Sequence, residues 1–273
     1  RNLSRGLGDV YKRQIFSLLS YSQNNFTSAR SIEISENNYE EQLRSSIVKN
    51  IELTNIGPSV MSGRVTDLEV NPNNPTEFYV AYASGGLWHT KNNGTTFSPI
   101  MDNSMTQNIG DFAIDWKSNS IYVGTGESNS SRSSYPGIGI LKSNDNGSTW
   151  TNIGLRDSHH ISRVLVNPNN ENHIVVAVIG HLYTKNIQRG IFTSFDNGKT
   201  WKKSLFINDH TGAIDLVVDP ENFDIQYAAS WERERKAWNF VGSGDNSGIY
   251  KSIDGGKNLS LIHISEPTRQ VPI

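Results

Sequence analysis

No cysteine occurs among the 273 residues, which excludes disulfides, thiol nucleophiles and cysteine-based metal sites while leaving the redox compartment open. Charge of one sign is lacking too: 25 Lys and Arg stand against 27 Asp and Glu, so the chain has no basic field of the kind that nucleic acid requires. No apolar run approaches the roughly 20 residues a membrane-spanning helix needs. Helical periodicity is equally scarce, and only Asn38 to Lys49 reads as helix, an edge leader. The glycines of the run GTGESNSSR, from Gly124, make no phosphate cradle, because no Lys-Ser/Thr follows and no helix opens there. No cofactor and no metal are expected.

What the chain does have is a phrase of eight residues that occurs four times: Thr90 to Phe97, Ser143 to Trp150, Ser194 to Trp201 and Ser252 to Leu259. Its glycines, Gly94, Gly147, Gly198 and Gly256, are 53, 51 and 58 residues apart, a spacing that signals blades or solenoid units. The chemistry is that of a turn. Asp145, Asp196 and Asp254 can accept backbone N–H bonds across it, and the glycines supply the positive φ that closes it. Trp150 and Trp201 then offer a large apolar face to cover the blade edge. The first copy, with Asn92 for Asp and Phe97 for Trp, is expected to hold its turn more weakly.

Around each phrase the same strand grammar returns. Val65 to Val70, Phe112 to Asp115, Ile161 to Val166 and Ala213 to Val218 read as buried innermost strands, three of them closed by Asn-Pro or Asp-Pro turns. Second strands follow at Glu77 to Ala83, Ser120 to Gly124, Ile174 to Ile179 and Ile225 to Ser230; third strands lead into each phrase and fourth strands leave it. Four short strands per roughly 50 residues predict an all-β chain, a β-propeller of four-stranded blades. Four blades make an incomplete ring with two open sheet edges.

The loops from second to third strand share a face with the links between blades, and there the repeats become uneven. Uneven loops on a regular scaffold are where function concentrates. A crown is expected from Glu127, Arg132, His159, His160, Arg163, His181, Trp231, Arg233 and Trp238, with Asp157 and Asp215 as further nearby carboxylates. Glu127 is the candidate catalytic group; it and Arg132 either meet a ligand or tie their long loop together as an ion pair. Adjacent His159 and His160 should diverge on a strand and so bind no common ion. Arg233 and Arg235 lie between Trp231 and Trp238, either as cation–aromatic packing or as a cradle for a sugar or acidic peptide.

The two ends read differently from the rest. A stretch coding for Ser4 to Gln14 has a reverse complement that reads in frame as Leu259 to Arg269, and the shared run resembles the transposon end of sequencing adapters. Residues 1–14 and 259–273 are therefore expected to be translated adapter and to carry no fold information. Residues 15–22 read as the remnant of a signal peptide, closing on Ser20 and Ser22, with Gln23 near the mature start; a merely apolar edge segment is the alternative. Residues 23–54 form a leader and 55–258 the partial propeller.

The phrase matches the Asp-box, S/T-x-D-x-G-x-T-W, and over nearly all of residues 55–258, most clearly in runs from Val123 to Phe240, the chain resembles exported bacterial repeat proteins labelled glycosyl hydrolase or sortilin-like (Vps10-type) propellers. That resemblance implies a scaffold role for Asp145, Gly147, Trp150, Asp196, Gly198, Trp201, Asp254 and Gly256, and a secreted, periplasmic or surface location. It lacks the early Arg-Ile-Pro motif of sialidases, and Ser84-Gly85-Gly86 stands where a xyloglucanase-like propeller has an acid. A sortilin-like scaffold binding a glycan or peptide on the crown is the expected function. The alternative is a glycoside hydrolase whose second carboxylate lies on further blades.

Overall fold

A computed structural model describes residues 26–51 and 63–264, so the expected signal-peptide remnant and the expected adapter residues 1–14 and 265–273 lie outside the described residues. One helix is present among them, α1 (Ala29–Ser45), capped by Ser28, whose hydroxyl accepts from the Ser31 N–H. The helix thus begins earlier and ends earlier than the expected span, because Ser28 supplies an N-cap that outweighs the polar run after it. None of its residues is buried.

Four four-stranded antiparallel sheets follow in chain order. The first contains β1 (Val65–Val70), β2 (Phe78–Tyr82), β3 (Gly86–Thr90) and β4 (Ser98–Pro99). The second contains β5 (Ile109–Asp115), β6 (Ser120–Thr125), β7 (Ile140–Ser143) and β8 (Thr151–Gly154). The third contains β9 (Ile161–Asn167), β10 (Asn170–Val178), β11 (Gly190–Ser194) and β12 (Lys202–Leu205). The fourth starts with β13 (Thr211–Asp219) and β14 (Asn222–Glu232); a two-stranded insertion, β15 (Glu234–Arg235) with β16 (Phe240–Val241), precedes β17 (Gly248–Ser252) and β18 (Ser260–Ile264). Each sheet is a meander, the topology of a blade. β18 falls in the segment read as adapter; its ladder to β17 is made by backbone groups, which any sequence supplies, and Leu261 to His263 are exposed.

The core lies between blades. On β6, Ile121 and Val123 face the first blade and pack with Tyr79, Ala81, Leu87 and Phe112, while Tyr122 faces the third. On β10, Ile174, Val176 and Val178 face the second blade, and Val175 and Ala177 face the fourth with Leu216 and Ala228. Sheets buried on both faces need continuous apolar strands, which is why the second strands show no alternation.

The repeated phrase folds the same way four times. Asp145 Oδ1 accepts from the Thr149 N–H at 2.8 Å and its Oδ2 from the Thr149 hydroxyl at 2.6 Å. Asp196 repeats both bonds with Thr200, and Asp254 makes the equivalent pair with the backbone and side chain of Asn258. Asn92 accepts from the Thr96 N–H and donates its amide to the Thr96 hydroxyl, so the first copy keeps the turn geometry with one bond reversed and no charge. The turn needs two consecutive positive φ values, as at Asn146 (57°) and Gly147 (86°). The asparagine also works between blades: Tyr79 donates its hydroxyl to Asn146 Oδ1 at 2.6 Å, and Tyr122 donates to Asn197 Oδ1 at 3.1 Å. The tryptophans reach back likewise, Trp150 Nε1 to the Ile100 carbonyl and Trp201 Nε1 to the Ile153 carbonyl.

Candidate functional site

Loops between blades and loops from second to third strand meet on one face. The Gly137 N–H donates to the His159 carbonyl at 2.6 Å, Asn186 N–H to the Asp209 carbonyl, and Arg233 to the Asn129 carbonyl. Gly126, at φ +87°, passes so close to the His159 carbonyl that a Cβ there would sit 1.8 Å from it. A side chain at 126 would therefore push two blades' loops apart.

The third blade's part of the crown is a histidine cluster. His159, at the unusual φ of +56°, stacks on His181 with ring centroids 3.6 Å apart. His159 Nε2 donates to the Thr27 carbonyl and His181 Nε2 to the Asp157 carbonyl, leaving His181 Nδ1 to accept from the Thr184 hydroxyl. His160 turns away, its Nδ1 donating to the Glu127 carbonyl at 2.7 Å. The two adjacent histidines thus diverge. Burial pushes His160 and His181 down to about 3 and lowers His159 as well, so all three are neutral rings near pH 7.

The leader sits on this cluster. Phe26 lies against His181 at 4.6 Å between ring centroids, Asp157 Oδ1 accepts from the Ala29 N–H at the helix start, and Glu36 pairs with Arg156 at 2.7 Å. A cavity of about 350 Å³ remains beneath it, between Phe26, Pro136, His160 and Tyr183. Asp157, expected as a carboxylate near the crown, accepts from the first turn of the Ser28-capped helix.

Glu127 also differs from expectation. It is buried and receives the Arg64 guanidinium, Nε at 2.7 Å and Nη2 beside it. Arg132 takes no part: it offers its carbonyl to the Tyr183 hydroxyl. The Glu127–Arg132 pair, one of the two alternatives the sequence left open, does not form; Glu127 is tied across blades instead, because Arg64 enters at the start of β1. The Glu127 carboxylate is thus buried and ion-paired, under an arginine that is itself exposed.

The axis carries its own charge set, which the sequence only half revealed. All four innermost strands are bulged, at Thr66, Gly110, Ser162 and Ile214, and each bulge is followed by a charged residue: Asp67, Asp111, Arg163 and Asp215. Arg163 joins three blades, with Nε 2.8 Å from Asp215 Oδ1 and Nη1 3.0 Å from Asp111 Oδ1. Asp111 is buried, and its second oxygen accepts from the Val164 N–H at 2.7 Å. Asp111 was not among the expected residues, although alignment of the repeats puts it level with Asp67 and Asp215. Sharing one guanidinium, Asp111 and Asp215 form an inter-blade tie, with Asp111 buried and Asp215 half-exposed.

The fourth blade holds a cavity of about 720 Å³. Trp231 lines it together with Asn129, Ser130, Ser243, Ile214 and Ile249, and His263 of the segment read as adapter closes one side. Trp231 is half-buried, and its Nε1 donates to the Gly242 carbonyl. Arg233 Cζ lies 5.3 Å from the Trp231 ring, as the sequence allowed, but Arg235 packs on Phe240 at 5.0 Å, not on Trp238. Trp238 stands apart at the tip of the β15–β16 insertion, 82% exposed.

No family model matches the chain, and no curated protein matches it. Solved structures do match: an ancestral GH74 enzyme at 22% identity and TM-score 0.56, over 76% of this chain and 25% of that one. A GH74 enzyme from Niastella koreensis matches at 20% identity and 0.54, over 72% and 29%, and the GH74 xyloglucanase from Xanthomonas campestris at 16% and 0.50, over 71% and 29%. The chain is an incomplete β-propeller. It spans between 25% and 29% of the length of those three chains, and at these identities the likeness is one of fold.

Proposed function

We propose that this propeller arc belongs to an exported, sortilin-like binding scaffold that holds a glycan on its crown, with Trp231 as the platform. The observation that carries the reading is the lining of the fourth-blade cavity: an indole face, a set of serine hydroxyls and the Asn129 amide, with no carboxylate among the lining residues. An aromatic face against sugar C–H groups, with hydroxyl and amide partners around it, is binding chemistry. Hydrolysis needs two carboxylates set about 5 or 6.5–9.5 Å apart across a sugar. Glu127, the catalytic candidate, spends its charge on Arg64.

The test is a glycan and peptide array on the chain, read beside a sugar-release assay. Retention of a glycan without release, weakened about thirtyfold or more by Trp231→Ala, is the expected result. Sugar release that disappears with Glu127→Gln would overturn the scaffold in favour of a hydrolase; retention of peptides alone would overturn the glycan.

A further inference from the structure

Two buried guanidinium groups share the crown without a carboxylate partner. Arg189 and Arg233 are each 2% exposed, and no Asp or Glu oxygen among the described residues pairs with either. Arg189 donates only to neutral acceptors, the Asn186 side-chain oxygen and the carbonyls of Ile179, His181, Thr184 and His210. Arg233 donates to the Ser130 hydroxyl at 2.6 Å and, at 3.3–3.4 Å, to the carbonyls of Gly180 and Asn129; its Nε has no acceptor. A buried cation held by neutral groups, with one N–H orphaned, is a costly arrangement that an anion would relieve.

Both arginines line a cavity of about 260 Å³, which opens between Leu182, Lys185, His210 and Val241. The carboxylates on its wall are engaged elsewhere: Glu232 accepts from the Asn246 N–H and side-chain amide and stands 3.5 Å from His210 Nε2, and Glu234 pairs with Lys236 at 3.0 Å. Lys185 adds a third cation at the rim, 3.6 Å from Asp209.

We propose that this cavity is a subsite for the carboxylate of an acidic sugar, so that the crown's ligand is a uronate-containing glycan. The inference rests on the glycan reading above and specifies its chemistry. A planar carboxylate suits the side of a guanidinium, where Nε and an Nη present two parallel N–H groups, and Arg233 keeps its Nε unused. The same guanidinium lies over Trp231, which lines the larger cavity next to it, so that one hexuronate ring can meet an indole face and a cation together. Burial, and then the Arg189 charge, push Arg233 down to about 9, and burial pushes Arg189 to about 10. Both remain cations at pH 7; the Arg189 charge is part of the penalty on Arg233, while the Asp209 charge partly offsets the burial of Arg189.

Calorimetric titration of the whole chain with oligogalacturonate, its methyl ester and a neutral cello-oligosaccharide tests this. The acid is expected to bind at least about tenfold more tightly than the ester, and a folded Arg233→Gln chain to lose that difference. The ester comparison needs no variant, so it decides the matter even if Arg233→Gln does not fold. Equal affinity of acid and ester would overturn the carboxylate subsite and leave the glycan reading standing; no binding of any of the three would overturn both. Inorganic sulfate competing as well as free galacturonate, or an acidic peptide binding in place of the acidic sugar, would also overturn it.

Discussion

Trp201→Ala tests whether the repeated turn fastens each blade to the one before it. Trp201 leaves the turn of the third blade, yet packs with Ile153 and Val166 on the core between second and third blades and donates its Nε1–H to the Ile153 carbonyl at 2.7 Å. Truncating a fully buried Trp to Ala costs about 3–5 kcal/mol; with the ring only half-buried the packing loss falls to about 2–3 kcal/mol, and the hydrogen bond adds about 1 kcal/mol. The expected destabilisation is therefore about 3–4 kcal/mol by urea unfolding followed in far-UV circular dichroism. Trp201→Phe, which keeps a ring and loses the donor, should cost about half as much. Because the loss is shared with the neighbouring blade, Trp201→Ala and Ile153→Ala together should fall short of the sum of the single losses by about 1 kcal/mol. A loss within about 0.5 kcal/mol, the range of an ordinary surface change, would refute the clamp.

Tyr122→Phe removes the hydroxyl held by Asn197 and should cost about 1 kcal/mol in the same assay, with Asn197→Gly adding little on top of it. Arg163→Gln strips Asp111 of its cation within a buried site and should cost about 3 kcal/mol, most of it recovered in the double change with Asp111→Asn. Two pH slopes of opposite sign are expected. Burial, and then the Asp67 charge, raise Glu69 to about 7 from 4.5, so the folded chain holds a proton that the unfolded chain releases; stability from this group is full below about pH 4.5 and is lost as pH rises to about 7, by roughly 3 kcal/mol. His160 and His181, depressed by burial to about 3, contribute stability above pH 6.5 that is lost as pH falls toward 3. Glu69→Gln should remove the first slope and leave the second, as read from denaturation midpoints between pH 4 and 8.

The blades were legible because their information is local. Strand runs and turn residues recur at fixed spacing, and the hydrogen bonds of Asp145 and Asp196 close within four residues. The inter-blade contacts were not legible, because they join residues about 50 to 80 apart. Tyr122 and Asn197 gave no sign of each other, nor did Arg64 and Glu127; an ion pair guessed from sequence falls on the nearest opposite charge, which was Arg132. The helix start was readable in principle from Ser28, but its docking through Ala29 to Asp157 spans 128 residues and two blades. Arg189 escaped notice because it stands next to an ordinary third strand, Gly190 to Ser194, and only burial reveals its charge as exceptional.

Charge in this arc is unevenly mixed, and the mixture bears on which ligand goes where. The innermost strands contribute Asp67, Glu69, Asp111 and Asp215 near the axis against Arg163. The cavity at the crown of the third and fourth blades carries Arg189, Arg233 and Lys185 beside Glu232 and Glu234, so its net field is small and the buried guanidinium contact decides. On the proposed reading an acidic glycan is repelled from the axis and held at the crown by that contact, whereas a neutral glycan meets neither effect. The ratio of acidic to neutral affinity consequently measures the field of the whole arc as well as the contact at Arg233, and the two separate with salt: exposed charges on the axis are screened at 0.5 M salt, where the Debye length is about 4 Å, whereas the buried guanidinium contact persists. A preference for the acid that survives high salt locates its source at Arg189 and Arg233; one that vanishes locates it in the field alone.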